Sequence, residues 1–267
     1  MSRENAIARA EAIFDDGTFF DLLTRWVSHP TESQNEGCRD ALGNYLVGAI
    51  TPYLENMGFT CRVVDNPVNP RLPFLIGQRM EGTELPTVLT YGHGDTVLAM
   101  DGRWREGLEP WQVIQEGDRW HGRGAADNKG QHAINLAALT CVIKERQQLG
   151  FNVKVLIEMG EEMGSPGLHQ ICTLEKEALA ADVLIASDGP RIDPRKPTLF
   201  GGSRAVFNFD LRLDLRDGGH HSGNWGGLLA NPGIILANAI ASMADARGRI
   251  LVAGLRPDGI PDAVKRA

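Results

Sequence analysis

One imidazole and several carboxylates in this chain each stand just after an apolar run or inside a glycine-rich turn. His93 and Asp95 lie in Tyr91-Gly92-His93-Gly94-Asp95, after Val88-Leu89-Thr90. Glu161 and Glu162 follow Gly160 and the run Val155-Leu156-Ile157-Glu158-Met159. Asp188 follows Val183-Leu184-Ile185-Ala186-Ser187. Asp127 lies in Gly122-Arg123-Gly124-Ala125-Ala126-Asp127-Asn128-Lys129-Gly130, ahead of a helical pattern. Side chains at the carboxyl ends of strands in an open α/β sheet converge on one crevice. Histidine with several carboxylates is a borderline-to-hard donor set, suited to zinc, cobalt or manganese.

The elements that must position these residues are legible from periodicity. Phe19, Leu22, Leu23 and Trp26 form an apolar stripe behind Thr18-Phe19-Phe20-Asp21, which resembles a capping box. Leu42, Tyr45, Leu46, Ala49, Tyr53, Leu54 and Met57 keep helical spacing, with a bend predicted at Pro52. Strand runs stand at Cys61–Val64, Phe74–Gly77, Thr87–Tyr91, Val153–Met159 and Val183–Ala186. Between Lys129 and Leu149, the residues Ile134, Ala138, Cys141 and Val142 mark one helical face. Strands alternating with helices predict an α/β fold, a mostly parallel sheet covered by helices. Near residue 200 the pattern becomes a two-residue alternation, Ala205, Phe207, Phe209, Leu211 and Leu213, as in a half-exposed strand. Asn231-Pro232 starts a further helix, Gly248 is expected to end it, and Ile250-Leu251-Val252 begins another strand. The expected division is a metal-binding catalytic domain over 1–199 and the start of a smaller α+β lid or dimerisation domain over 200–267.

Composition excludes several classes. The chain has 267 residues, 42% hydrophobic and 23% charged, as in an ordinary globular protein. Its net charge of −7 gives no support for nucleic-acid binding. No apolar stretch is long enough to span a membrane, and Met1 to Ala12 lack the apolar core of a signal peptide. Cys38, Cys61, Cys141 and Cys172 are scattered and read as reduced thiols, so a cytoplasmic location is expected.

Taken in order, Gly92-His93-Gly94-Asp95, Gly122-Arg123-Gly124-x-x-Asp127-x-Lys129-Gly130, Gly160-Glu161-Glu162-x-Gly164-Ser165 and Ser187-Asp188 resemble the motif series of a di-zinc metallopeptidase family. That family comprises the acetylornithine deacetylases, succinyl-diaminopimelate desuccinylases, carboxypeptidase G and cytosolic dipeptidases. The resemblance implies two divalent ions, zinc with cobalt or manganese as alternatives. His93, Asp127 and Asp188 would bind one, and Asp127 would bridge to a second that Glu162 also binds. Asp95 would hold the other ring nitrogen of His93. Glu161 would be the general base for a water activated by the two ions. The peptide after Asp127 is often cis in this family. His220-His221-Ser222-Gly223-Asn224-Trp225-Gly226-Gly227 is similar to an element of the dipeptidase branch, where a lid-domain histidine at the position of His221 reaches a partner subunit's site and steadies the oxyanion. The implied activity is hydrolysis of an amide bond in dipeptides or N-acyl amino acids, by a homodimer formed through the lid. The family's last histidine ligand lies further downstream than Ala267. The resemblance therefore implies that the isolated chain holds its second ion weakly and has little activity.

Plainer readings stand beside these. Asp127 alone is a helix N-cap, Glu161-Glu162 alone a solvated acidic pair, and Asp188-Gly189-Pro190 alone a turn. His29, His121, His132 and His169 have no comparable context and receive no function. Trp104, Trp111 and Trp120 read as packing residues of a strand pair leading into the Asp127 turn. Two other functions remain: an inert, metal-poor binding or dimerisation module, and a serine hydrolase using Ser203. The second is distant, because Gly201-Gly202-Ser203-Arg204-Ala205 lacks the final glycine of a nucleophile elbow.

Overall fold

The structure, a computed structural model, describes residues 3–189, 191, 193, 195–198, 200, 206, 208–256 and 259–266. They fall into two compact units, Met1–Pro190 and Arg191–Ala267.

The first unit begins with α1 (Arg3–Asp15) and α2 (Thr18–Val27). Thr18 does not cap α2. Gly17 is the N-cap, and Asp16 Oδ1 accepts the Thr18 N–H at 2.8 Å. The long helical pattern that follows is built in three pieces. These are α3 (Arg39–Asn44), a π-helical stretch (Tyr45–Ile50) and α4 (Thr51–Asn56). The wide turn falls just ahead of Pro52, whose ring cannot fit a regular i−4 bond. Then come β1 (Thr60–Val64), β2 (Phe74–Arg79), β3 (Thr87–His93) and the strand pair β4 (Ile114–Glu116) and β5 (Arg119–His121). α5 (Lys129–Arg146), β6 (Asn152–Glu158), α6 (Leu168–Leu174), α7 (Lys176–Leu179) and β7 (Val183–Ala186) complete it.

Five strands make one sheet in the order β1-β2-β6-β3-β7. β6, β3 and β7 run parallel, while β1–β2 and β2–β6 are antiparallel. No helix lies between β1 and β2, so no crossover is there to make them parallel. The sheet is mixed, with helices on both faces. Leu75, Val153, Val155 and Ile157 pack with Leu22, Trp26, Leu46 and Leu136 on one side. Phe74, Ile76 and Leu156 pack with Ile171 and Leu179 on the other.

α5 lies close to β3, and its buried face matches the apolar spacing only in part: Cys141 and Val142 pack in the core, whereas Ala138 is exposed. Gly130, His132, Ala133, Leu136, Ala137 and Cys141 are buried, whereas Ile134 is 56% exposed. Close approach explains the difference. A Cβ on Gly92 of β3 would lie 2.9 Å from His132 Cβ, so glycine and small residues face each other across this contact.

The second unit holds α8 (Ser222–Trp225), α9 (Pro232–Met243) and α10 (Asp262–Arg266). Asn231 caps α9 as its sequence predicts, its Oδ1 accepting from Gly233 and Ile234 N–H. α9 ends at Met243, before Gly248. The alternation over 205–214 forms no strand among its described residues, and Ala205 and Phe207 lie outside them. Of the expected strand at Ile250–Val252, only an isolated bridge from Ile250 to Ala244 is present. A strand requires a neighbour paired over several residues, and among the described residues this unit supplies only that single bridge. Ser203 also lies outside the described residues. Among the described residues no helix is long and apolar enough to cross a membrane.

Candidate metal centre

The parallel strands β6, β3 and β7 end at one edge, and the predicted residues follow there. β3 closes with His93, whose register partner is Glu158 at the end of β6. The Glu161–Met163 3₁₀ turn comes next on that side, and Asp188 lies beyond β7 on the other. Asp127 precedes α5, and the Asp127–Asn128 peptide is cis.

The carboxylates gather around one nitrogen. His93 Nε2 lies 3.0 Å from Asp127 Oδ1, 3.8 Å from Glu161 Oε2 and 3.9 Å from Asp188 Oδ1. The His93 side chain is fully buried, while that of Asp127 is 65% exposed, so the cluster is rooted in the core and open on one side. Among the described residues, His93, Glu161 and Asp188 each present a ligand atom within 4.8 Å of the others. Three carboxylates around one imidazole repel one another unless a cation joins them. The donor set and spacing therefore fit a divalent metal ion.

Asp95 stands behind the ring. Its Oδ1 is 3.2 Å from His93 Nδ1, and its side chain is wholly buried. The same carboxylate accepts the backbone N–H of Glu161 on Oδ1 and of Glu162 on Oδ2, both at 3.2 Å. Burial alone would push the His93 imidazole down. The hydrogen bond to Asp95 and the charges of Asp95, Asp188 and Glu161 outweigh it and carry the group up to about 9.

Glu161 and Glu162 differ in their surroundings. Burial raises Glu161, assisted by the charges of Asp188, Glu162 and Asp95. Burial also raises Glu162, and the next cause is the Asp127 charge. It is the Glu161 carboxylate that joins the group around His93, whereas among the neighbouring charges Asp127 acts most on Glu162. His221 belongs to the second unit, where its Nδ1 accepts the Gly223 N–H at 3.1 Å.

Several residues of this region have no role assigned from the sequence. Asn128 is fully buried and bonds to both strand ends that flank it. Lys129 is fully buried, donates to the His29 carbonyl at 2.7 Å and lies over the Tyr45 ring. Burial brings its ammonium down to about 7. His132 touches Tyr45 Oη through Nε2 at 2.6 Å, and burial, then the charges of His93 and Lys129, bring it down to about 3. Glu158 is buried and accepts from Tyr91 Oη at 2.6 Å and Ser165 Oγ at 2.9 Å. The only hint of Glu158 in the sequence is a charged residue inside an otherwise apolar strand.

An imidazole and carboxylates thus meet at the carboxyl edge of a helix-covered sheet, where α/β folds bind ligands. Residues 89–212 match the model of peptidase family M20/M25/M40, and the chain belongs to this family. It is 33% identical over 189 residues to the Beta-Ala-His dipeptidase of Mus musculus, covering 70% of this chain and 38% of that protein. It is 31% identical over 208 residues to the cysteinylglycine-S-conjugate dipeptidase of Corynebacterium striatum, covering 77% of this chain and 45% of that one. The chain thus spans less than half the length of these relatives. The fold matches the di-peptidase Dug1p of Saccharomyces cerevisiae with a TM-score of 0.73 at 22% identity, over 98% of this chain and 57% of the other.

Proposed function

We propose that the cluster around His93 is a divalent metal centre serving hydrolysis of the amide bond of dipeptides. The observation that carries this reading is the set of three carboxylate oxygens within 3.9 Å of one buried imidazole nitrogen. The names of the relatives favour dipeptides over N-acyl amino acids. When bound, divalent ions polarise a carbonyl and make water more acidic.

The chain's own residues supply the rest. His93, Asp127 and Asp188 would hold one ion, and Asp127 and Glu162 would hold a second. Asp95 fixes the orientation of the His93 ring and the backbone of the Glu161-Glu162 turn. Glu161, whose proton affinity is raised by burial, takes the proton from water and delivers it to the leaving nitrogen. With His221 Nδ1 accepting from Gly223, the neutral ring carries its N–H on Nε2. That is the form that donates to a developing oxyanion, in a dimer built through the second unit.

A second reading exchanges the two glutamates, because Glu161 and not Glu162 lies within 4 Å of His93 Nε2. The test is metal content and dipeptide hydrolysis of the Glu161→Gln and Glu162→Gln proteins. Glu161→Gln is expected to keep its metal and lose about 10²–10⁴-fold in turnover. Loss of metal from Glu161→Gln and retention by Glu162→Gln would assign the roles the other way. Unchanged turnover in both would remove either glutamate from proton transfer.

A further inference from the structure

We propose that Tyr45, His132 and Asn128 form a buried hydrogen-bond chain that positions His93 and Asp188, with Asn128 joining the two strand ends. The inference rests on the metal reading of the cluster.

The β3–β7 ladder stops short of the residues it must align. Its last register pair is Tyr91 with Ala186, two residues before His93 and Asp188. Asn128 takes over where the ladder ends. Its Oδ1 accepts the His93 backbone N–H at 3.2 Å. Its Nδ2 donates to the Ser187 carbonyl at 2.8 Å, with Asp188 Oδ1 at 3.1 Å and Gln131 Oε1 at 2.9 Å. One amide therefore ties one strand end to the other and touches the Asp188 carboxylate directly. Gly92 makes the room, since a Cβ there would stand 3.0 Å from Asn128 Oδ1.

The amide orientation fixes the next link. Oδ1 must face the His93 N–H, and Nδ2 must face the Ser187 carbonyl, because neither backbone group can reverse its role. His132 Nδ1, 3.2 Å from Oδ1, must then carry the proton. Its Nε2 is left as an acceptor, and Tyr45 Oη donates to it at 2.6 Å. Tyr45, His132 and Asn128 are all buried. The Asn128 amide therefore cannot flip without leaving buried groups unpaired. Partners of this kind behind metal ligands orient them and tune affinity.

The test is Co²⁺ titration of metal-stripped wild-type, Asn128→Ala and Tyr45→Phe proteins, read by calorimetry and by the visible cobalt spectrum. A ¹⁵N-histidine spectrum of the metal-free wild type accompanies it. Asn128→Ala is expected to bind Co²⁺ about 10–100-fold more weakly and to shift the cobalt bands. Tyr45→Phe should show a smaller loss in the same direction, and His132 should be the Nδ1–H tautomer. A purely structural role would lower stability without moving the cobalt bands. Wild-type affinity and spectrum in Asn128→Ala would overturn the inference alone, as would an Nε2–H tautomer at His132. If Asn128→Ala does not fold, wild-type binding by Tyr45→Phe decides against it in the same way. Failure of the wild type to take up Co²⁺ would overturn the metal reading and this inference with it.

Discussion

Asp95 Oδ1 lies 3.2 Å from His93 Nδ1, with both side chains wholly buried, and the same carboxylate receives the N–H groups of Glu161 and Glu162. One side chain thus couples the end of β3 to the turn after β6. Removing the side chain frees the turn and leaves the ring held only by the Asp95 backbone carbonyl, 3.1 Å from His93 Nδ1. Asp95→Ala is predicted to weaken divalent metal binding about 10–100-fold, measured by calorimetry on the metal-stripped protein. Wild-type affinity would show that the ring is held without the Asp95 carboxylate.

The elevated proton affinity of His93 has consequences for pH. Its folded value of about 9 stands above the ordinary 6.5. A raised folded value means that protonation stabilises the metal-free fold. That contribution is complete below pH 6.5 and lost as pH rises through about 9. The urea midpoint of the metal-free protein should therefore fall across this window, and in His93→Gln this component should vanish. Metal must displace the same proton, so binding at neutral pH should release close to one proton from His93. Calorimetry in buffers of different ionisation enthalpy measures that release. Zero release would place a neutral ring in the metal-free state.

Close packing at the start of α5 makes a further prediction. A Cβ on Gly130 would sit inside the van der Waals envelope of the Ala125 carbonyl oxygen. That oxygen belongs to the backbone of the turn carrying Asp127, and a backbone oxygen cannot step aside as a flexible side chain can. Gly130→Ala is predicted to cost about 1–3 kcal/mol by denaturant titration and to weaken metal binding by displacing Asp127. Unaltered stability would mean that the turn is looser than it stands here.

The legible part of this chain was what local pattern can carry. The runs ending at His93, Glu158 and Ala186 are short, apolar and followed by ligand-type residues, so both strands and candidate ligands could be read from one segment each. The supports other than Asp95 were not legible, because their partners are remote in sequence. Tyr45 meets His132 across 87 positions, and nothing in the helical pattern of either distinguishes it from a packing residue. The buried face of α5 is legible only at Cys141 and Val142, because the small residues Gly130, Ala133 and Ala137 that are also buried carry little hydrophobic signal. The alternation near residue 209 failed for the converse reason: a pattern states which face is apolar but does not supply the neighbouring strand.

The central claim, that the group around His93 holds divalent metal, is tested most directly by equilibrium dialysis of metal-stripped wild-type and His93→Ala proteins against Zn²⁺. At least one equivalent should remain with the wild type and be lost from the variant, while circular dichroism shows both folded. Equal or absent retention in the two folded proteins would contradict the account and leave the chain an inert binding module.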